Sequence, residues 1–193
     1  VSSTPTPREV PSEPATQALA FRGLWVLCEG AARTLDDPAR IDELIRRAAA
    51  LEVTDLFVQV YRSGRSWFDS ETADAGPFRA IRERTQIDPL ARLIQRAHGA
   101  GLRVHAWVNV LSLAKNAEAK IVRELGPDAI QVDRRGRSLL SYPGFEVPEP
   151  DRGWYRMGTP GLYVDPGARG VRAYLSDIFG ELVARYPQLD GVH

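Results

Sequence analysis

The chain has 193 residues, of which 44% are hydrophobic and 26% charged, as in ordinary globular domains that can bury a core. Its 25 basic and 25 acidic residues cancel, and the arginines form no basic stripe, which argues against a nucleic-acid partner. No run approaches the roughly 18 apolar residues of a membrane span. The single Cys28 excludes an internal disulfide framework, and its apolar surroundings favour a buried, inert thiol over a nucleophile.

Residues 1–19, VSSTPTPREVPSEPATQAL, differ in composition from the rest of the chain. Four prolines among Ser, Thr and Glu leave too few large apolar groups to offset the entropy lost on ordering, so the segment is predicted to be a disordered linker. Such linkers commonly follow a signal peptide or a lipid anchor, and the sequence starts at Val1. We therefore expect an exported protein, extracellular or in the cell envelope, with a cytoplasmic location as the open alternative.

Residues 20–193 alternate between strand and helix patterns. Short apolar runs predict strands at Phe21–Gly30, Leu56–Tyr61, Gly101–Leu111 and, at its start, Leu189–His193. Amphipathic helices are expected to begin at three Asp-Pro pairs, because Asp caps a helix and Pro suits its first turn: Asp37-Pro38, Asp88-Pro89 and Asp165-Pro166. A shorter helical pattern covers Leu113–Leu125, and a small hairpin could pair Ile130–Val132 with Leu139–Tyr142 in the long insertion that follows.

This alternation predicts an α/β fold built from parallel βα units. One candidate is a doubly wound open sheet that binds a small ligand, but the segment after the first strand, CEGAARTLDDP, lacks its glycine-rich phosphate loop. The other is a (β/α)8 TIM barrel, which needs about 250 residues. On that interpretation the chain supplies the N-terminal half of the barrel and stops in the fourth strand.

The third predicted strand, GLRVHAWVNVL, has a polar face of the kind that lines a binding site. Because side chains alternate across a strand, His105, Trp107 and Asn109 share one face, and aliphatic residues take the other. Asn109 lies nearer the strand end and is favoured for substrate contact, whereas His105 lies deeper and is favoured as a hydrogen-bonded structural imidazole. Trp107 would stack on a sugar ring or pack between the strand and helix layers.

Further candidates lie where barrel strands end, because TIM-barrel sites form at the C-terminal face. Gln59 and Tyr61 would bond sugar hydroxyls or, equally, fill the interior. Arg62, Arg65 and Trp67 form a loop suited to anionic or ring-shaped sugars, with a solvated loop as the alternative. Two further candidates are Glu29, which would orient a ligand or pair with Arg22 or Arg65, and His193 on the last strand. No metal site is expected, because His98, His105 and His193 lack ligand spacing, and His98 is read as a solvated or helix-capping residue.

Four stretches resemble, in matching order, the family-10-like glycosyl hydrolase domain of bacteria: FRGLWV, VQVYRSGRSWF, DPLARLIQRAHGAGLRVHAWVNV and YVDPGARGVRAYLSDIFGELVARYPQLDGVH. The resemblance covers about residues 21–193. It implies a catalytic TIM-barrel domain that acts on a polysaccharide, with the cell envelope as a candidate source, and that needs no cofactor. In that family DGVH is followed by a leucine, an aspartate, an aromatic residue and an arginine, so the catalytic carboxylate is expected just beyond His193.

The resemblance leads to two further expectations and leaves one alternative function. Glycosidic cleavage usually uses two carboxyl groups, so residues 20–193 alone are expected to be an inactive partial domain. A half-barrel with open strand edges is also expected to be marginally stable and to self-associate. The alternative function is a carbohydrate-binding or scaffold domain that keeps the fold without catalysis.

Overall fold

The computed structural model describes residues 21–155 and 161–193, which form a parallel sheet with helices packed against one face. The predicted linker at residues 1–19 lies outside the described residues. The strands are β1 Gly23–Val26, β2 Asp55–Arg62, β3 Arg65–Ser66, β4 Arg103–Val108, β5 Ser112–Ala114, β6 Leu162–Tyr163 and β7 Gly191–Val192. The α-helices are α1 Pro38–Ala50, α2 Gly76–Thr85, α3 Pro89–Gly99, α4 Lys120–Leu125 and α5 Val171–Arg185. Within these two ranges, no helix is long and apolar enough to cross a membrane.

The main sheet has the strand order β1-β2-β4-β7, and each neighbouring pair is parallel. This confirms the predicted βα alternation. Two additions were not predicted. β3 turns back antiparallel onto the end of β2, and β5 pairs with β6 in a separate two-stranded sheet. Strand β6 therefore lies apart from the parallel sheet.

Two of the three Asp-Pro pairs start helices as predicted. The Asp37 carboxylate accepts the Ala39 amide at 2.8 Å, and Asp88 accepts the Ala91 amide at 2.9 Å. The third prediction is wrong, because the Asp165 carboxylate instead accepts the Gly167 amide at 2.8 Å and closes a turn. Helix α5 begins five residues later, after Gly170 in a left-handed conformation.

The predicted hairpin in the long insertion is also wrong. Ile130 forms an isolated antiparallel bridge with Val164, and residues 139–141 form a short 3-10 helix instead of a strand. The Asp133 carboxylate accepts the amides of Arg135 and Arg137, so the turn is held locally without strand pairing. Helix α2 was missed because its Gly-Pro start lies in a polar stretch.

The two faces of the main sheet differ in their environment. On the helix side, alternate strand residues are fully buried against the apolar faces of the helices. These residues are Leu56, Val58, Val60, Val104 and Ala106. On the inner side, aromatic rings cross the strands in register. Trp25 stacks on Phe57 with ring centroids 4.7 Å apart, and Phe57 stacks on His105 at 4.9 Å. Trp25 remains 52% exposed, so the inner face is open in the part of the chain described.

A buried carboxylate holds together the side of the sheet at which the parallel strands begin, here called the N-terminal edge. Asp55 accepts hydrogen bonds from the Arg103 guanidinium at 2.7 and 2.8 Å and from the Thr54 hydroxyl at 2.6 Å, and its other contact is His105 Nε2 at 2.7 Å. The Arg103 guanidinium holds the pKa of Asp55 well below its usual range, with help from Thr54 and His105 and against the effect of burial. The carboxylate therefore ties β2 to β4 as long as it is ionised.

Replacing Asp55 should destabilise the fold in a pH-dependent way. Asp55→Asn should lower the free energy of unfolding by roughly 2 kcal/mol at pH 7, because charge-assisted bonds to a buried group are lost. A carboxylate with a depressed folded pKa stabilises the fold above its unfolded pKa of about 3.9 and loses that contribution as the pH falls further. Urea unfolding at pH 7 and pH 3 should show the difference between wild type and variant shrinking at the lower pH.

The matched control for this measurement is Asp177→Asn, at an exposed position of α5. It should change stability by less than about 0.5 kcal/mol at either pH. A loss for Asp55→Asn no larger than that of the control would contradict the assigned role of Asp55.

Candidate functional site

Parallel strands bring their C-terminal ends to one edge of the sheet, and several predicted residues meet there. Glu29 follows β1, Arg62 ends β2, and Arg65 opens β3 on the same strand's hairpin. Asn109 follows β4, and its amide donates to the Tyr61 carbonyl at 3.0 Å, which continues the β2–β4 pairing past the strand end. The sequence predicted that these residues lie close together because each was placed at or just after the end of a predicted strand.

Glu29 and two arginines form the charged centre of this edge. The Glu29 carboxylate accepts a hydrogen bond from Arg65 Nη2 at 2.9 Å and lies 3.3 Å from Arg62 Nε. This settles the predicted pairing of Glu29 in favour of Arg65, since Arg22 pairs with Glu52 instead. All three side chains of the Glu29 group are about one-third exposed, so they remain reachable from solvent.

Arg65 forms the wall between two clefts. One cleft of about 340 Å³ is lined by Glu29, Arg65, Trp67 and residues of α2, and the other, of about 450 Å³, is lined by Arg65, Asp74, Asn116 and residues around β5. The Arg65 guanidinium lies 6.0 Å from the centroid of the Trp67 ring. Its Nε–H is buried and has no hydrogen-bond partner within residues 21–155 and 161–193.

Three predicted residues are enclosed. Gln59 and Tyr61 are 1% exposed and Trp67 is 4% exposed. Gln59 Oε1 accepts the Cys28 thiol at 3.2 Å, and burial raises the pKa of Tyr61 to about 12. Burial favours the alternative that Gln59 and Tyr61 fill the interior. It also rules against the solvated-loop alternative for Trp67, whose indole packs beneath Arg65.

The inner face carries His105, Trp107 and His193, and Asn109 follows β4 at the C-terminal edge. His105 bonds Asp55 and stacks on Phe57, which gives it the structural role that the sequence favoured. Trp107 is half-buried on the same face as His105, so the predicted alternative of packing between strand and helix layers is wrong. The exposed His193 ring stands 5.3 Å from the Phe57 ring, centroid to centroid. Half-buried Asn109 has a carboxamide without a partner in the described part of the chain.

Sequence reasoning missed the contacts that fix the loop after β3. Glu181 on α5 accepts hydrogen bonds from Ser70 and Thr72, more than 100 residues earlier in the chain. No local pattern marks such a pair. His98 is exposed in the last turn of α3, as predicted, and its Nε2 also lies 2.9 Å from the Asp190 carboxylate, which accepts the Val104 amide at 2.7 Å.

Among residues 21–155 and 161–193, no group of three His, Cys, Asp or Glu side chains is placed to hold a metal ion. The arrangement at the C-terminal edge is instead one of hydrogen-bond donors, a free carboxamide and two accessible guanidinium groups. Such groups can bind the hydroxyl and acidic substituents of a sugar.

A profile of the glycosyl hydrolase-like 10 family matches residues 20–193. The chain belongs to this family. Over 161 residues it is 30% identical to the glycosyl hydrolase DigH of Escherichia coli K12, and equally to the Shigella flexneri protein of the same name. Each match covers 79% of this chain and 32% of the relative. The chain thus spans about a third of the length of these curated relatives.

Solved structures share the fold at low identity. A hypothetical protein from Ruminiclostridium thermocellum aligns with a TM-score of 0.54 at 14% identity, over 88% of this chain and 73% of that one. The α-galactosidase TtGalA of Thermus thermophilus gives 0.51 at 16%, over 89% and 30%. The chitobiase of Flavobacterium johnsoniae gives 0.54 at 14%, over 90% and 23%. The latter two are glycosidases with TIM-barrel folds, which confirms the predicted barrel-type α/β fold for this chain and rules against the doubly wound alternative.

The Cys28 thiol should be unreactive toward thiol reagents in the folded protein. Burial, and then the neighbouring Glu29 charge, raise the pKa of its thiol to about 12, so almost no thiolate exists near neutral pH. A thiol-specific chromogenic disulfide reagent at pH 8 should label less than about one-tenth of the native chain over minutes and all of it in urea. Stoichiometric labelling of native protein would contradict this environment.

Proposed function

We propose that this chain is part of the catalytic domain of a glycoside hydrolase that acts on a polysaccharide of the cell envelope. The proposal of a hydrolase rests on membership of the glycosyl hydrolase-like 10 family. The single structural observation that supports sugar binding is the edge where Asn109, Arg62 and Arg65 present unpaired or accessible donors at the ends of parallel strands.

The residues at this edge suit binding of a glycan. The Asn109 carboxamide can donate to and accept from one sugar hydroxyl, and the two arginines can hold oxygen-rich substituents. Trp107 and the exposed His193 ring flank the inner face, where an apolar sugar face can lie. The clefts on both sides of Arg65 are each large enough for about one sugar ring, so a glycan chain is proposed to cross Arg65.

Cleavage requires a proton donor and a second carboxylate, acting as nucleophile or base. At the C-terminal edge, the Glu29 oxygens are engaged by two guanidinium groups, and Asp74, which lines the second cleft, accepts the Gly76 amide at 2.9 Å and lies 3.6 Å from Arg79. We therefore assign Glu29 an orienting role. The catalytic acids are proposed to come from outside the described residues, the first of them just beyond His193.

The second candidate function is binding without cleavage. The engagement of Glu29 by Arg62 and Arg65 favours it, because a general acid needs an oxygen free to approach the leaving group. A carbohydrate-binding or scaffold domain would use the same edge without the two acids. A reducing-end assay distinguishes the two functions: new reducing ends appear when bound glycan is cleaved and do not appear when it is only bound.

Removing the Asn109 carboxamide should weaken glycan binding. In the full-length protein, Asn109→Ala should lower affinity for purified bacterial cell-wall glycan by about 5- to 10-fold, the loss expected for one or two hydrogen bonds. The control Gln95→Ala removes a carboxamide from the exposed surface of α3 and should bind like wild type. Sedimentation binding measures affinity, and a reducing-end assay on the same samples measures cleavage. Equal binding by the two variants would exclude Asn109 from the site.

A further inference from the structure

The loop between β3 and α2 lies against the candidate site but contains little regular structure. Residues 67–75 connect Ser66 at the end of β3 to Gly76 at the start of α2. A loop of this kind would ordinarily be mobile, because few backbone bonds hold it. Here it is held from outside by a helix more than 100 residues away in sequence.

Glu181 on α5 supplies the central contact. Its Oε2 accepts the Ser70 hydroxyl and the Glu71 amide, the latter at 3.1 Å. Its Oε1 accepts the Thr72 amide at 2.9 Å and the Thr72 hydroxyl at 2.7 Å. Partial burial alone would raise the pKa of Glu181, but these donors outweigh it and lower the pKa. Four donors on one carboxylate therefore favour its ionised form.

Other contacts close the loop against the same helix and against α4. The Tyr174 hydroxyl donates to the Thr72 carbonyl at 2.7 Å, and Arg185 Nη1 lies 3.1 Å from the Asp69 carboxylate. From the other side, Lys120 donates to the Glu71 carbonyl. These neighbours approach the loop from both flanks, but Glu181 alone among them binds two backbone amides and two hydroxyl groups.

The loop is in turn tied to the strand that carries Arg65. The Ser66 amide donates to the Asp74 carbonyl at 2.9 Å, and the Ser66 hydroxyl donates to the Phe68 carbonyl at 3.0 Å. Arg65 itself forms an isolated bridge with Asp74. A displacement of residues 70–72 would therefore move Asp74 and, through it, the guanidinium that divides the two clefts.

We propose that Glu181 is a positioning residue for the candidate site: from α5 it fixes residues 70–72 and thereby sets Arg65 against Glu29. Its effect on ligand binding rests on the proposed glycan function, whereas its effect on the loop does not. Glutamine cannot fully replace it, because in either orientation its amide nitrogen would face a backbone N–H that a carboxylate oxygen accepts. Loss of ionisation has a related effect, since a protonated carboxyl turns one acceptor into a donor.

The test uses the full-length protein, Glu181→Gln and the control Asp177→Asn, which removes an exposed carboxylate from the same helix. Hydrogen exchange at the amides of Glu71 and Thr72 should accelerate at least about 10-fold in Glu181→Gln and stay unchanged in the control. In wild type, protection of these amides relative to their intrinsic rates should fall as the pH drops through the folded pKa of Glu181. In Glu181→Gln it should not depend on pH in that range.

The link to Arg65 needs a double-mutant cycle. Glu181→Gln and Arg65→Gln should each weaken binding of cell-wall glycan about 5-fold, and the double variant should be no weaker than Arg65→Gln, because Glu181 acts through Arg65. If Glu181→Gln does not fold, Thr72→Val supplies the same comparison, since it deletes one of the four donors at nearly constant volume.

Three outcomes overturn the proposal. They are unchanged exchange at residues 71 and 72, a loosened loop with unaltered glycan affinity, and additive losses in the double variant. A wild-type protein that binds no cell-wall glycan would instead overturn the proposed function. The exchange measurement would then still decide whether Glu181 fixes the loop.

Discussion

The parallel register of β1, β2, β4 and β7 is the constraint on which the rest of the structure depends. It aligns Trp25, Phe57 and His105 into one stacked row on the inner face. A Cβ at Gly191 would lie 2.7 Å from His105 Nδ1, so any other residue there would have to displace the His105 ring or the fourth strand. The same register brings all four C-terminal ends to one edge, where the candidate site lies.

Ionised carboxylates hold the two ends of this sheet in different ways. At the N-terminal edge, Asp55 and Asp190 join neighbouring strands and a helix, and neither lies near the clefts. At the C-terminal edge, Glu29 takes two guanidinium groups, and Glu181 gathers four donors from the loop beyond β3. A stabilising role for the first edge and the proposed binding role for the second agree with TIM-barrel enzymes, in which the N-terminal face serves stability and the C-terminal face holds the active site.

Local patterns were enough to predict much of the fold. The Asp37 and Asp88 caps, the apolar runs of β2 and β4, and the resemblance of residues 21–193 to a hydrolase family all depend on residues close in sequence. The alternation of His105 and Trp107 along β4 correctly placed these two residues on one face. The third Asp-Pro pair misled because the same Asp-Pro chemistry also closes a simple turn, and only Gly170 marks the true helix start.

The failures concern contacts between distant parts of the chain. Burial of Gln59, Tyr61 and Trp67 depends on neighbours contributed by several elements, so the sequence could not separate interior packing from ligand contact. The partners of His98 and Glu181 lie about 90 and 110 residues away, and no spacing rule connects them. The family resemblance could not supply these contacts either, because a sequence motif specifies residue types without their long-range hydrogen bonds.

The central claim is that the C-terminal edge of the sheet binds glycan. Amide chemical-shift mapping of the full-length protein, titrated with a soluble cell-wall oligosaccharide, tests it most directly. The account predicts perturbations that cluster at Glu29, Arg65, Trp107 and Asn109, with none at Asp55 on the opposite edge. Perturbations confined to the N-terminal edge or to the outer surfaces of α1 and α3 would contradict it.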